Sequence, residues 1–180
     1  VANIRFVEAD AGEGQMVFRH SWQSGTSGFA YSPAYSYSPG AKVGGPITEM
    51  DYAGDVWIDN SELFTGAELQ PGGRGHFVLL HEIGHALGLQ HSFDDTYGAA
   101  PPQYVMTPDL DNERYTVMTY TQASRTELWS GSLSAGSLML LDIEAIQHLY
   151  GRNTSTRAGA TTYKWGVDAE ILETIWVGGG

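Results

Sequence analysis

A chain of 180 residues, 42% of them hydrophobic, is long enough for one globular domain with its own core. Nine lysines and arginines against 21 aspartates and glutamates leave a formal charge of −12, which argues against nucleic acid and anionic membrane surfaces as partners. There is no cysteine for a disulfide framework, no run approaching the ~18 apolar residues of a spanning helix, and no visible signal peptide, so any export signal would lie outside these residues.

In chain order, Ala2–Phe6 and Gln15–Arg19 alternate well enough for short strands. Gly25–Pro46 is rich in Gly, Ser, Tyr and Pro and reads as loop, apart from a strand over Gly28–Ser32. Asp55–Asp59 is the next strand. Pro71–Gly75 is a turn leading into a helix from about Gly75 to Leu87, with Val78, Leu79, Ile83, Ala86 and Leu87 as its core face. Phe93–Glu113 has many Asp, Pro and Gly residues and no period, hence loop. Ser137–Tyr150 is the last helix, closed by Gly151. Strands early and helices later give an α+β class, with no internal repeat.

The first of these helices carries the most informative stretch. His81, Glu82 and His85 form HExxH, and Gly88 and His91 extend it to HExxHxxGxxH. Residues four apart lie above one another on a helix, so His81 and His85 can hold one ion. Gly88 permits the left-handed turn that ends a helix and can bring His91 to the same ion. Three imidazole nitrogens leave one position open for water, the mark of a catalytic rather than a structural zinc. Glu82, one position round the helix, can reach that water as general base. HExxH alone arises by chance in one of ~8,000 windows, and the two added positions make three unrelated histidines the poorer reading.

The extended motif resembles that of the metzincin clan of zinc proteases. Tyr115-Thr116-Val117-Met118-Thr119-Tyr120 resembles the methionine turn that lies beneath the metal in that clan. Among metzincins the chain is most similar to the serralysins, where a tyrosine two residues after the methionine is an additional ligand. Gly54–Asp59, Leu140–Gly151 and Thr154–Tyr163 resemble serralysin segments, so the likeness runs from about Val1 to Trp176. Ser92 is the feature shared with matrixins, which lack the tyrosine; astacins carry disulfides. The helix that precedes Val1 in serralysins and the GGxGxD repeats of their C-terminal domain are absent. The expectation is a catalytic core without that calcium-binding repeat domain, or a short member of the family.

The resemblance implies a twisted, mostly parallel sheet with an antiparallel edge strand, a zinc helix and a C-terminal helix. It also implies a cleft between an upper subdomain of about residues 1–91 and a lower one of about 92–180, together one catalytic domain. His81, His85, His91 and Tyr120 would hold zinc. Peptide bonds would be hydrolysed by a zinc-activated water, with Glu82 as general base. Tyr120 would leave the metal as substrate binds and hydrogen-bond the oxyanion, and Met118 would pack under the ligands. Substrate would extend along the Gly28–Ser32 edge. Calcium is the weaker expectation: serralysins hold one on backbone carbonyls matching Arg157, Gly159 and Thr161, but Val177 stands where a ligating aspartate is expected. The implied protein is a secreted endopeptidase of bacterial type, a monomer with protein or peptide substrates and a proteinaceous inhibitor as a further partner. A zinc-stabilised binding module without catalysis is the alternative from another class, and the presence of Glu82 speaks against it. His20, His76 and His148 have no ligand spacing. Asp94, Asp95, Asp109 and Asp111 read as a solvated loop rather than a calcium site, and Asp142 and Glu144 as braces of the last helix.

Overall fold

The sheet is built on β5 (Val56–Asp59), whose alternation is sharp: Val56 and Ile58 are buried, Trp57 and Asp59 half-buried. A computed structural model describes residues 1–10, 12–37, 47–60, 64–93, 106–123 and 133–179. Within it β1 (Phe18–Ser21) pairs parallel to one edge of β5, and β2 (Gly28–Ala30) antiparallel to the other, in the order β1-β5-β2. The three-stranded sheet is therefore mixed rather than mostly parallel, with β2 as the expected antiparallel edge. A separate two-stranded ribbon joins β3 (Tyr35–Tyr37) to β4 (Ile47–Glu49). Its first strand lies in the stretch read as loop, because Tyr-Ser-Tyr between prolines carries no apolar alternation.

The strand expected over Ala2–Phe6 is reduced to a single bridge from Ala2 to Arg152, and that over Gln15–Arg19 starts at Phe18. A 3-10 turn over Gly66–Leu69 precedes α1 (Arg74–Ala86), one residue off the expected start and end. α2 runs over Leu140–Tyr150. It begins three residues later than expected because the Asp142 carboxylate accepts the Met139 N–H at 2.8 Å and so caps it there. Glu144, expected as a second brace, is exposed.

The core lies between the inner face of the sheet, α1 and α2. Val56, Ile58, Phe77, Val78, Ala86, Leu89, Val117, Met118, Met139 and Ile146 form one buried cluster. The two helices are tied end to end by the Tyr150 hydroxyl, which donates to the Leu87 carbonyl at 2.8 Å. No helix among the described residues is long and apolar enough to cross a membrane.

Candidate metal centre

α1 brings His81 and His85 to the same side by its pitch, with ring centroids 4.7 Å apart. The helix stops at Leu87, and Gly88 follows at φ 95°, a left-handed conformation that reverses the chain. The reversal places His91 Nε2 3.1 Å from His81 Nε2 and 3.0 Å from His85 Nε2. The ligand atoms of the three all lie within 4.8 Å of one another, and this is the only such group of three His, Asp or Glu residues among the described residues.

The rings are held from behind. His81 Nδ1 lies 2.7 Å from the Val117 carbonyl and His85 Nδ1 2.9 Å from the Leu89 carbonyl. A carbonyl only accepts, so each Nδ1 carries the proton and each Nε2 presents a lone pair to the centre. Lone pairs 3.0–3.1 Å apart repel unless a cation lies between them. Nitrogens bonded to one tetrahedral zinc at about 2.0–2.1 Å stand about 3.3 Å apart, so the cluster fits that ion. Burial, followed by the neighbouring His85, His91 and Arg74, pushes His81 down to about 3, which keeps it neutral as a ligand must be.

Glu82 is 5% exposed and its Oε2 has no hydrogen-bond partner. Burial pushes its carboxyl up to about 7 in the protein alone; a cation beside it would draw that value down again. Together with His81 and Tyr120 it lines an open cavity of about 490 Å³, whose other walls include Gln23, Asp59, Arg74 and Phe77. Tyr120 is 66% exposed, its ring 4.8 Å from that of His91 and 5.6 Å from that of His81.

Beneath the histidines, Met118 is 2% exposed and its sulfur lies against Gly84 of α1; a Cβ there would stand 2.5 Å from it. The turn is anchored to α2, since the Asp142 carboxylate accepts from Thr116 Oγ1 at 2.6 Å and from the Val117 N–H at 2.8 Å. Val117 thus links Asp142 on one side of its peptide to His81 on the other.

Some contributors escape a reading of spacing. Phe93 stacks on His91 at 4.7 Å, inclined by 13°. Arg74, at the start of α1, pairs with buried Glu113 at 3.0 Å. Asp111 is no solvated loop residue: it accepts the hydroxyls of Ser92 and Thr119, both at 2.6 Å. Asp109 is exposed, while Asp94 and Asp95 lie outside the described residues. His20 and His148 are exposed and away from the cluster, and His76 Nε2 meets the Gly136 carbonyl at 3.1 Å. Arg157, Gly159 and Thr161 lie on an exposed, irregular segment.

A family model described as Matrixin matches residues 2–124. The chain belongs to the matrixin family. Among relatives of this matrixin-family chain, metallopeptidase AprA of Pseudomonas marginalis is 34% identical over all of the chain and 39% of its own length. Serralysin of Proteus mirabilis is 30% identical, again over all of the chain and 40% of its own length. Serralysin C of Dickeya chrysanthemi is 37% identical over 72% of the chain and 26% of its own length. The chain thus spans about two fifths of the first two relatives. The family description names the branch set aside above on account of Tyr120, whereas these relatives include proteins named serralysin, the likeness expected from the whole chain. Zinc is the cofactor that membership implies, and the three-histidine cluster fits it.

Proposed function

We propose that this chain is the catalytic domain of a secreted, zinc-dependent endopeptidase of serralysin type. The observation that carries the reading is the buried, partnerless Glu82 oxygen beside three converging histidine nitrogens, on the wall of an open cavity. His81, His85 and His91 would hold the zinc, which when bound polarises a scissile carbonyl and makes a water acidic enough to attack near neutral pH.

The chain supplies the rest. Glu82 receives the proton of the attacking water on Oε2 and passes it to the leaving amine. Its burial leaves that oxygen without a competing hydrogen bond, free for the proton of the attacking water. Tyr120, beside the cluster, would serve as a fourth protein ligand when zinc is bound, and with substrate present its hydroxyl would donate to the oxyanion. Its exposure supports the reading, because so open a ring has room to turn. An extended peptide adds to the outer edge of β2, which the sheet order leaves uncovered among the described residues. The cleft divides an upper part, about residues 1–91, from a lower part, about 92–180.

The test is zinc content and casein cleavage, on the wild type and on Glu82→Gln side by side. One zinc in each with cleavage only in the wild type is expected. Equal cleavage by Glu82→Gln would remove the general base, and zinc without cleavage in either would favour the binding-module reading.

A further inference from the structure

We propose that Asp111 is the positioning residue of the metal centre for the two groups that do not lie on α1, His91 and Tyr120. His81 and His85 are spaced by the helix itself. His91 comes after the reversal at Gly88, and Tyr120 leaves the methionine turn, so no regular element sets their separation.

Each is flanked by a buried hydroxyl: Ser92 follows His91 and is 3% exposed, and Thr119 precedes Tyr120 and is 0% exposed. Both hydroxyls donate to one oxygen, Asp111 Oδ1, at 2.6 Å. That is the length of a strong hydroxyl-to-carboxylate bond. Neighbouring backbone N–H groups extend the clamp, with Ser92 N–H donating to the Met118 carbonyl at 3.0 Å and Thr121 N–H to the Thr119 hydroxyl oxygen at 3.0 Å. Asp111 is itself held, since its N–H donates to the Thr107 carbonyl at 3.1 Å. One carboxylate oxygen therefore joins the strand of chain behind His91 to the strand behind Tyr120, and their rings meet in front of it at 4.8 Å.

The consequence concerns metal affinity and geometry, so it stands apart from proteolysis. Zinc affinity is measured by competition with a chromophoric chelator, and the absorption spectrum is recorded for the Co(II)-substituted protein. Asp111→Ala is expected to weaken zinc by about 10–100-fold, the range for outer partners of metal ligands, and to alter the Co(II) bands at full occupancy. Asp111→Asn, which keeps an acceptor oxygen, is expected to restore both. If Asp111→Ala does not fold, the double variant Ser92→Ala/Thr119→Val removes the same two bonds, together with the Thr121 N–H acceptor and the Ser92 Oγ contact to the Met118 carbonyl, and leaves the carboxylate; it is expected to show at least the same loss. Zinc affinity within threefold of wild type together with unchanged Co(II) bands, even with a lowered melting temperature, would reduce Asp111 to a merely structural residue and overturn the proposal.

Discussion

The two halves of the proposed metal centre are held by different physics. His81 and His85 sit on α1, where the pitch of one helix sets their separation and a backbone carbonyl locks each ring. His91 and Tyr120 sit on irregular chain, where contacts between distant segments do that work: Phe93 stacked on His91, Asp111 beneath both, and the methionine turn pinned to α2 by Asp142. A ligand pair on a helix is specified within five residues. The opposing pair has no such element and depends on loop 106–123 and its bonds to α2, on which His81 draws only for the Val117 carbonyl behind its ring. The helical half should therefore tolerate damage to α2 better than the loop half does.

The largest effect is expected from the ligands themselves. His81→Ala and His91→Ala should each lose zinc by more than the about 100-fold of an outer-partner change, as read by chelator competition. Circular dichroism should show α1 intact in both; loss of helix in His91→Ala alone would break the comparison. Next is Asp142→Ala, which orphans the Thr116 hydroxyl and the Val117 and Met139 N–H groups. It should cost at least about 3 kcal/mol in urea unfolding. Below the transition it should loosen His91 and Tyr120 before α1, and hydrogen exchange that opens α1 first would contradict this order.

A smaller cost is expected from Gly84→Ala, because its Cβ would stand 2.5 Å from the Met118 sulfur. Met118 is flexible and can shift, so about 1–3 kcal/mol is expected, with zinc retained. A neutral result would mean that the turn does not press on α1. The smallest effect concerns pH. Burial raises the Glu113 carboxyl above its ordinary 4.5, against the opposing pull of Arg74. Over the window from 4.5 up to that raised value the folded state binds more protons than the unfolded one, so Glu113 lowers stability as pH rises through it. Melting curves of Glu113→Gln should lack this component of the slope; an unchanged slope would show that the Arg74 pair offsets the burial.

Sequence periodicity located α1 and β5 to within a residue because both carry an apolar face of regular period, and Gly88 marked the reversal by its chemistry. The β3–β4 ribbon escaped because its first strand is Tyr-Ser-Tyr, and the isolated Ala2–Arg152 bridge because one bridge has no period to read. Asp111 was indistinguishable from the other acidic residues of a loop, since its partners lie 19 and 8 residues away.

By itself, the sequence determined the zinc helix, the identity of the three nitrogen donors and the carboxylate beside them. Those depend on spacing within one turn-and-reversal of chain. Only the tertiary structure decided which loop groups brace His91 and Tyr120, which nitrogen of His81 and His85 faces the centre, and that Glu82 is left buried with an unpaired oxygen. Apart from His85, whose Nδ1 is fixed by the nearby Leu89 carbonyl, each of these depends on a partner remote in sequence or on water shut out by packing, and neither is written in the local order of residues.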